Sequence, residues 1–537
     1  MVGPFGKKKD GVAKAIDRPT RFPFVGAPLS SSWKVVDKYP LNAPFAYAIV
    51  AEDPGTGTRK YFVDEVTLSQ KEAQIYTYLL ETLESELSVP RSEVDPRAYF
   101  LEQANKIVKK YSIKASQLSW PKINYFAERD LVGFGVLDGV MRDTQIEDIT
   151  VDGVAKPLFI YHRRYDNIET NLNFLRDEEL DNIVARLAHM AGKHVSTAFP
   201  IVQGTLPGRH RLAATYRREV SPYGSTCTIR KFREDPLTII DMMNFNVIDH
   251  NLAAYVWLLM ENRATAIVAG STGSGKTTLL NALLTLTRMN SKIVTIEEVQ
   301  EINIAHSNWS ALVSRESYGT GEDVGGEVGL FQLVKTTMRM RPDILVVGEV
   351  RGEEAYVLFQ AISTGHGGLC TLHADDVTSA IQRLTSKPMD VPAAFIPFLD
   401  LVFTVRRISI PQQGGGFKTM RRVLSVDEVV SVGSYVRMFK WDPASDKQLA
   451  SPIKTSVKLA RLARDTGTSM PELMEEIERR GAVLRWAQQR EVRNFRELSL
   501  LFEEYRSNEE QVYQRALSDL GRAGGAMEGE IKEGLRL

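Results

Sequence analysis

Residues 270–278 read GSTGSGKTT, with the apolar run TAIVA before them and LLNALLTL after them. The spacing G-x-x-x-x-G-K-T runs from Gly270 to Thr277. Glycines at 270, 273 and 275 let the backbone curl. The N–H groups of Ser271, Thr272, Gly273, Ser274, Gly275, Lys276, Thr277 and Thr278 can then face one anion, and the following helix adds its positive end. Lys276 supplies a mobile charge for β- and γ-phosphates, and Thr277 offers a hydroxyl to Mg²⁺. A strand before the loop and a Leu-rich helix after it are the context such a phosphate cradle needs.

A phosphate cradle of this kind needs a carboxylate from a neighbouring strand. RPDILVVGEVRG supplies one: the apolar run Ile344 to Val347 ends in Gly348 and Glu349. A carboxylate there can hold Mg²⁺ or polarise the attacking water. Asp343 opens the same strand, lies at the other edge of the sheet and is read as structural. A second apolar run, SKIVTI, is followed by EEVQEI, with Glu297, Glu298 and Glu301. Three glutamates are usually a solvated face, but a strand end in the same domain puts a general base within reach of the γ-phosphate. In STGHGGLCTLHADD, His366 and His373 flank Cys370. Three readings stay open for the histidines: metal ligands, structural groups, or γ-phosphate sensors that move on hydrolysis.

The elements that must position these groups are partly legible. Residues 250–430 alternate helix and β-rich segments, the pattern of an α/β domain around a central sheet. IEDITVDG, PLFIYHRRY and STCTIRKF read as strands, and DEELDNIVARLAHMAG reads as a helix. FAYAIVAED and RKYFVDEVTL flank the turn-forming PGTGT, a hairpin signature. Ser469 to Glu472 forms a capping box at the head of a late helix. The expected organisation is a flexible tail over 1–40, an accessory domain over 41–120, and a second N-terminal α+β domain over 121–235. A linker over 236–245, the α/β core over 246–430, a mainly helical extension over 431–510 and a flexible tail over 511–537 follow.

The chain has 537 residues, 43% of them hydrophobic and 25% charged, so it can build several cores. Its 67 basic and 67 acidic residues cancel, which removes a chain-wide basic field for nucleic acid. Two cysteines cannot staple a fold of this size and fit a reducing compartment. The longest apolar runs are too short to cross a membrane.

The ordered set of GSTGSGKT, IEEVQE, RPDILVVGE and TGHGGLCTLHA resembles the secretion ATPases. These power type II and type IV secretion, type IV pili and the archaellum. In that family the four motifs are Walker A, Asp box, atypical Walker B and His box. QIEDITVDG, FPIVQGTLPGRHRLAATY and GSTCTIRKF resemble the second N-terminal domain of the archaeal branch, and RRVLSVDEVV resembles its C-terminal extension. The resemblance spans roughly residues 120–500.

It implies a RecA-like P-loop core, ATP and Mg²⁺ as cofactors, and a homo-hexamer. The place implied is cytoplasmic, peripheral at the inner face of the membrane, on an integral platform protein of a pilus, archaellum or secretion system, with no direct nucleic-acid partner. It implies Glu301 as catalytic glutamate, Glu349 as Walker B glutamate and metal ligand with Thr277, and His366 and His373 as the His box. Glu298 departs from the family's usual Asp. The resemblance also implies arginines from the preceding domain that neutralise the transferring phosphoryl group, with Arg211, Arg217 and Arg230 as candidates and Arg209 and Arg218 as rivals. The alternatives are a nucleic-acid motor on the same core, or an ATP-binding switch or scaffold with little turnover.

Overall fold

The computed structural model of the chain describes residues 20, 23–86, 95–315, 328–411 and 417–523. Residues 1–19 and 21–22 of the expected N-terminal tail and 524–537 of the C-terminal one lie outside the described residues, whereas 34–40, read as part of the flexible tail, belong to the strand Lys34–Asn42 because they pair with Ala46–Glu52. The chain divides into two units, Met1–Phe232 and Arg233–Leu537.

The first unit is built on a nine-stranded sheet. Lys34–Asn42, Ala46–Glu52 and Arg59–Glu65 run antiparallel. The hairpin turn is held by Asp53, whose Oδ1 accepts from the Gly55 N–H at 2.9 Å. Arg59–Glu65 then pairs in parallel with Asp166–Asn173. The sheet continues through Pro157–His162, Ile146–Val151, Thr226–Arg230, His210–Thr215 and Ile201–Leu206. The segments 41–120 and 121–235, separated in the sequence reading, therefore share one sheet. Their boundary falls inside the helix Ser119–Leu131. That helix packs with Gln70–Glu86 and Pro96–Lys110 around Leu79, Leu83, Phe100 and Phe126.

The second unit carries another nine-stranded sheet. Its parallel part has the order Trp309–Val313, Ile293–Glu297, Ile344–Val347, Gly367–Leu372, Ala266–Gly270 and Leu401–Pro411. Every residue of the four central strands is buried, as expected when helices cover both faces. Phe417–Ser431, Ser434–Asp442 and Lys447–Ala450 extend the sheet antiparallel. This is the expected RecA-like α/β arrangement.

Expectations for the second unit change as well. Within 236–245, read as a linker, Thr238 and Asp241 form a capping box for the helix Ile239–Asn244. Ile239, Ile240, Met242 and Met243 are buried in the core of the second unit, so this stretch packs instead of hinging freely. The extension over 431–510 opens with two strands before its helices. The helix Glu509–Ala523 occupies residues assigned to the C-terminal tail. Tertiary burial decides the last case: Val512 and Ala516 belong to the core. The Ser469 capping box forms as read, with the Ser469 N–H on Glu472 Oε2 at 2.7 Å.

The helical extension is joined to the α/β core by packing and charge. The Trp257 and Phe502 rings lie 4.3 Å apart, centre to centre. Arg506 donates to Glu261 at 2.9 Å and to the Leu286 and Thr287 carbonyls at 3.0 and 3.1 Å, just past the helix Lys276–Leu284.

Candidate active site

Parallel register makes the strand ends coincide. Ala269 lies beside Leu372, Ile296 beside Val347, and Val347 beside Cys370. The loops that leave these ends carry the P-loop, Glu301, Glu349 and His373, so residues over a hundred positions apart meet at one carboxyl edge. In the P-loop, Gly275 has φ 95° and leads into the helix Lys276–Leu284. A Cβ at Gly270 would lie 2.4 Å from the Val405 carbonyl oxygen, which explains the glycine there. Ser274 is buried, and its hydroxyl donates to the Ser271 carbonyl at 2.8 Å. Lys276 donates to the same carbonyl at 3.1 Å. Ser271, Thr272 and Gly273 are exposed, while Thr277 and Thr278 are half-buried.

Charge ties the cluster together. Burial pulls the Lys276 ammonium below its ordinary pKa, opposed by the nearby carboxylates of Glu349 and Glu301. Burial works against ionisation of Glu349, but the Arg351 hydrogen bond and charge, with His373 and Lys276, hold it below its usual value. Arg351 Nη2 lies 2.7 Å from Glu349 Oε2. His373 Nε2 lies 2.8 Å from Glu349 Oε1, though the alignment makes no good hydrogen bond and Oε1 is buried without a partner. Burial and then Lys276 lower the His373 pKa, which favours the neutral ring. Glu298 pairs with Arg351 at 3.7 Å.

That orphaned Glu349 oxygen and the Thr277 hydroxyl are hard donors of the kind that suit Mg²⁺, which takes few protein ligands and fills its octahedron with phosphate and water. Cys370 is buried, and burial pushes its thiol up to about 12, so it offers no thiolate.

The structure separates the two histidines. His373 joins the cluster, whereas His366 precedes the strand Gly367–Leu372 at its opposite end. Six residues of strand span about 20 Å. His366 Nδ1 sits 3.0 Å from the Ala361 carbonyl and 3.1 Å from Thr364 Oγ1, beside the helix Glu354–Ser363. It shares its edge with Asp343, which accepts from the Lys292 N–H at 2.8 Å and pairs with Arg263 at 2.7 Å. His366 as a γ-phosphate sensor of this cluster is therefore corrected: strand length holds it away.

The candidate arginines belong to the first unit. Arg211 and Arg230 are direct cross-strand neighbours, and Arg230 pairs with Asp148 at 3.2 Å. Arg217 has φ 57° and pairs with Asp181 at 3.2 Å.

Two participants escaped the sequence reading. Arg421, on the antiparallel strand Phe417–Ser431, donates to the Gly273 carbonyl at 3.2 Å. Nothing local marks it, because pairing with Leu401–Pro411 brings it there. Asn281, on the P-loop helix, accepts from the Asn303 N–H at 2.9 Å. Its position one turn beyond Thr277 on a buried helix was the available signal.

The loop after Glu301 is also anchored at His306, whose Nε2 lies 3.0 Å from Thr287 Oγ1. Burial pushes the imidazole down to about 4 from 6.5. The unfolded chain therefore binds a proton below about pH 6.5 that the folded chain refuses until about pH 4. Stability from this group is present above that window and falls with pH inside it, by at most about 1.4 kcal/mol per pH unit. Denaturant unfolding at pH 7 and pH 5 should show a smaller loss in His306→Gln than in the native chain.

Residues 134–396 match the family described as Type II/IV secretion system protein. An uncharacterized protein of Methanocaldococcus jannaschii is 35% identical over 380 residues, 69% of this chain and 67% of that protein. Another from the same organism is 37% identical over 251 residues, 46% of this chain and 89% of that one. The conjugal transfer protein TrbB of Rhizobium radiobacter is 32% identical over 207 residues, 38% of this chain and 60% of its own length. The Yersinia pseudotuberculosis ATPase DotB superimposes with a TM-score of 0.39 at 15% identity, over 71% of this chain and 91% of that one.

Proposed function

The chain belongs to the type II/IV secretion system ATPase family, and on that premise we propose that it is an ATP-hydrolysing motor. Its work is to power a type IV pilus-like filament or archaellum, or protein secretion, through a membrane platform. One observation carries the reading: Lys276, Glu349 and His373 act on one another electrostatically, and Glu301 acts on Lys276, at a single sheet edge.

In this reading the backbone N–H groups of 271–278 bind the phosphates and Lys276 neutralises β- and γ-oxygens. Thr277 and Glu349 would hold Mg²⁺, which would supply Lewis-acid stabilisation of the phosphates. Glu301 orients water and takes its proton. Neutral His373, oriented beside Glu349, donates to the γ-phosphate. Arg211, Arg217 and Arg230 are proposed as the arginines that neutralise the transferring phosphoryl group. Among the described residues no helix is long and apolar enough to cross a membrane. A homo-hexamer at the inner membrane face is the proposed assembly.

The test is phosphate release by the purified full chain. We expect turnover with ATP and Mg²⁺, its loss on adding EDTA, its return with excess Mg²⁺, and no response to DNA or RNA. Nucleic-acid stimulation would transfer the protein to the class of nucleic-acid motors. ATP binding without hydrolysis, with and without membranes, would end the motor reading.

A further inference from the structure

Glu297 closes the strand Ile293–Glu297 and is 3% exposed. Its Oε1 accepts from the backbone N–H of Glu301 at 2.9 Å and of Ile302 at 3.1 Å. The chain after the strand thus folds back around one carboxyl oxygen. The next N–H, of Asn303, is taken by Asn281 from the P-loop helix at 2.9 Å. Three consecutive amides are held by two buried side chains, one from the sheet and one from the helix that carries Lys276.

Two further observations mark Glu297 as more than a filler of the core. A Cβ at Gly348 would lie 2.9 Å from Glu297 Cγ, so the residue before Glu349 makes room for this side chain. Glu297 Oε2 is buried without a hydrogen-bond partner, which stability alone disfavours. Burial pushes the carboxyl up to about 7, against the pull of the two N–H donors.

We propose that Glu297 is a positioning residue for hydrolysis: by clamping the N–H groups of Glu301 and Ile302 it fixes where the Glu301 carboxylate stands relative to Lys276 and Glu349. This rests on the reading of Glu301 as the base. Buried and bonded to the loop amides, Glu297 acts through the loop. Its loss should lower kcat and spare nucleotide affinity, since misplacing a reacting group by about 1 Å costs about 10²-fold.

The experiment compares the full-length native chain with Glu297→Ala, Glu297→Gln and Gly348→Ala. The readouts are hydrogen exchange of a peptide covering 298–304, Mg-ADP affinity and steady-state turnover. In Glu297→Ala, exchange of that peptide should accelerate about tenfold, the loss expected for a hydrogen bond of ordinary strength. Its kcat should fall about 10²-fold at unchanged ADP affinity. Glu297→Gln keeps a carbonyl acceptor and should restore both protection and kcat to within about threefold. If Glu297→Ala does not fold, Gly348→Ala, which pushes on the same side chain, should reproduce its loss of protection and of kcat.

Unchanged protection in Glu297→Ala, or in Gly348→Ala if that variant must stand in, overturns the proposal. Glu297→Gln as inactive as Glu297→Ala also overturns it, because the charge itself would then be needed. A native chain without turnover sinks the assignment of Glu301 instead, and the exchange readout still decides whether Glu297 holds the loop.

Discussion

Replacing Lys276 by alanine should abolish measurable ATP turnover and weaken nucleotide binding, while leaving the fold intact. The side chain is buried at the head of the P-loop helix, with its ammonium 3.1 Å from the Ser271 carbonyl. Burial works against its charge, and Glu349 and Glu301 oppose that from outside the loop. Three donors on a flexible stem can follow the γ-phosphate as it transfers. Losing a charge-assisted hydrogen bond of about 1.5–3 kcal/mol should weaken Mg-ATP binding by roughly 10- to 100-fold. Loss of transition-state charge stabilisation should take at least a further ~10² from kcat. Titration with a fluorescent nucleotide and single-turnover phosphate release separate the two effects. The unfolding midpoint should be unchanged or slightly raised, because the ammonium pays a desolvation penalty in the folded chain. A Lys276→Ala chain that turns over within a few-fold of native would remove the P-loop from the mechanism.

Glu301→Gln should be the second large loss, of a different kind. The side chain is exposed, yet its own N–H is fixed by Glu297 at 2.9 Å. It is therefore a mobile carboxylate on an anchored backbone, close enough to act electrostatically on Lys276. Glutamine keeps the size and the hydrogen-bonding oxygen but cannot take a proton. General-base catalysis is worth about 10²–10⁴, so kcat should fall by that range while Mg-ATP affinity stays within about threefold. Burst and single-turnover kinetics would place the loss in the chemical step. If Glu301→Gln hydrolyses at the native rate, the base lies elsewhere, and Glu349 becomes the residue to replace next.

Much of the site was readable because its parts are local. Gly270, Gly273 and Gly275 with Lys276 form one continuous turn into a helix, and its chemistry follows from residue types at fixed spacing. Glu349 was readable one step further out, because an apolar run ending in a carboxylate implies a strand end. His373 follows the same rule at Leu372. His366 did not, because the motif treats both histidines as one box although a whole strand lies between them. The reading of 236–245 as a linker failed for a related reason: four apolar residues become a buried helix only when the rest of the core is there to cover them.

The sequence by itself determined the glycine-rich turn into a helix, the strand-end carboxylates, the cap at Ser469 and the family to which these motifs belong, since each depends on residues within a few positions of one another. Only the tertiary structure decided that Arg421 reaches the P-loop, that Glu297 and Asn281 clamp the loop bearing Glu301, and that one sheet joins both N-terminal segments. Those outcomes rest on register between strands distant in the chain and on burial of side chains by elements far away, and no local spacing encodes either.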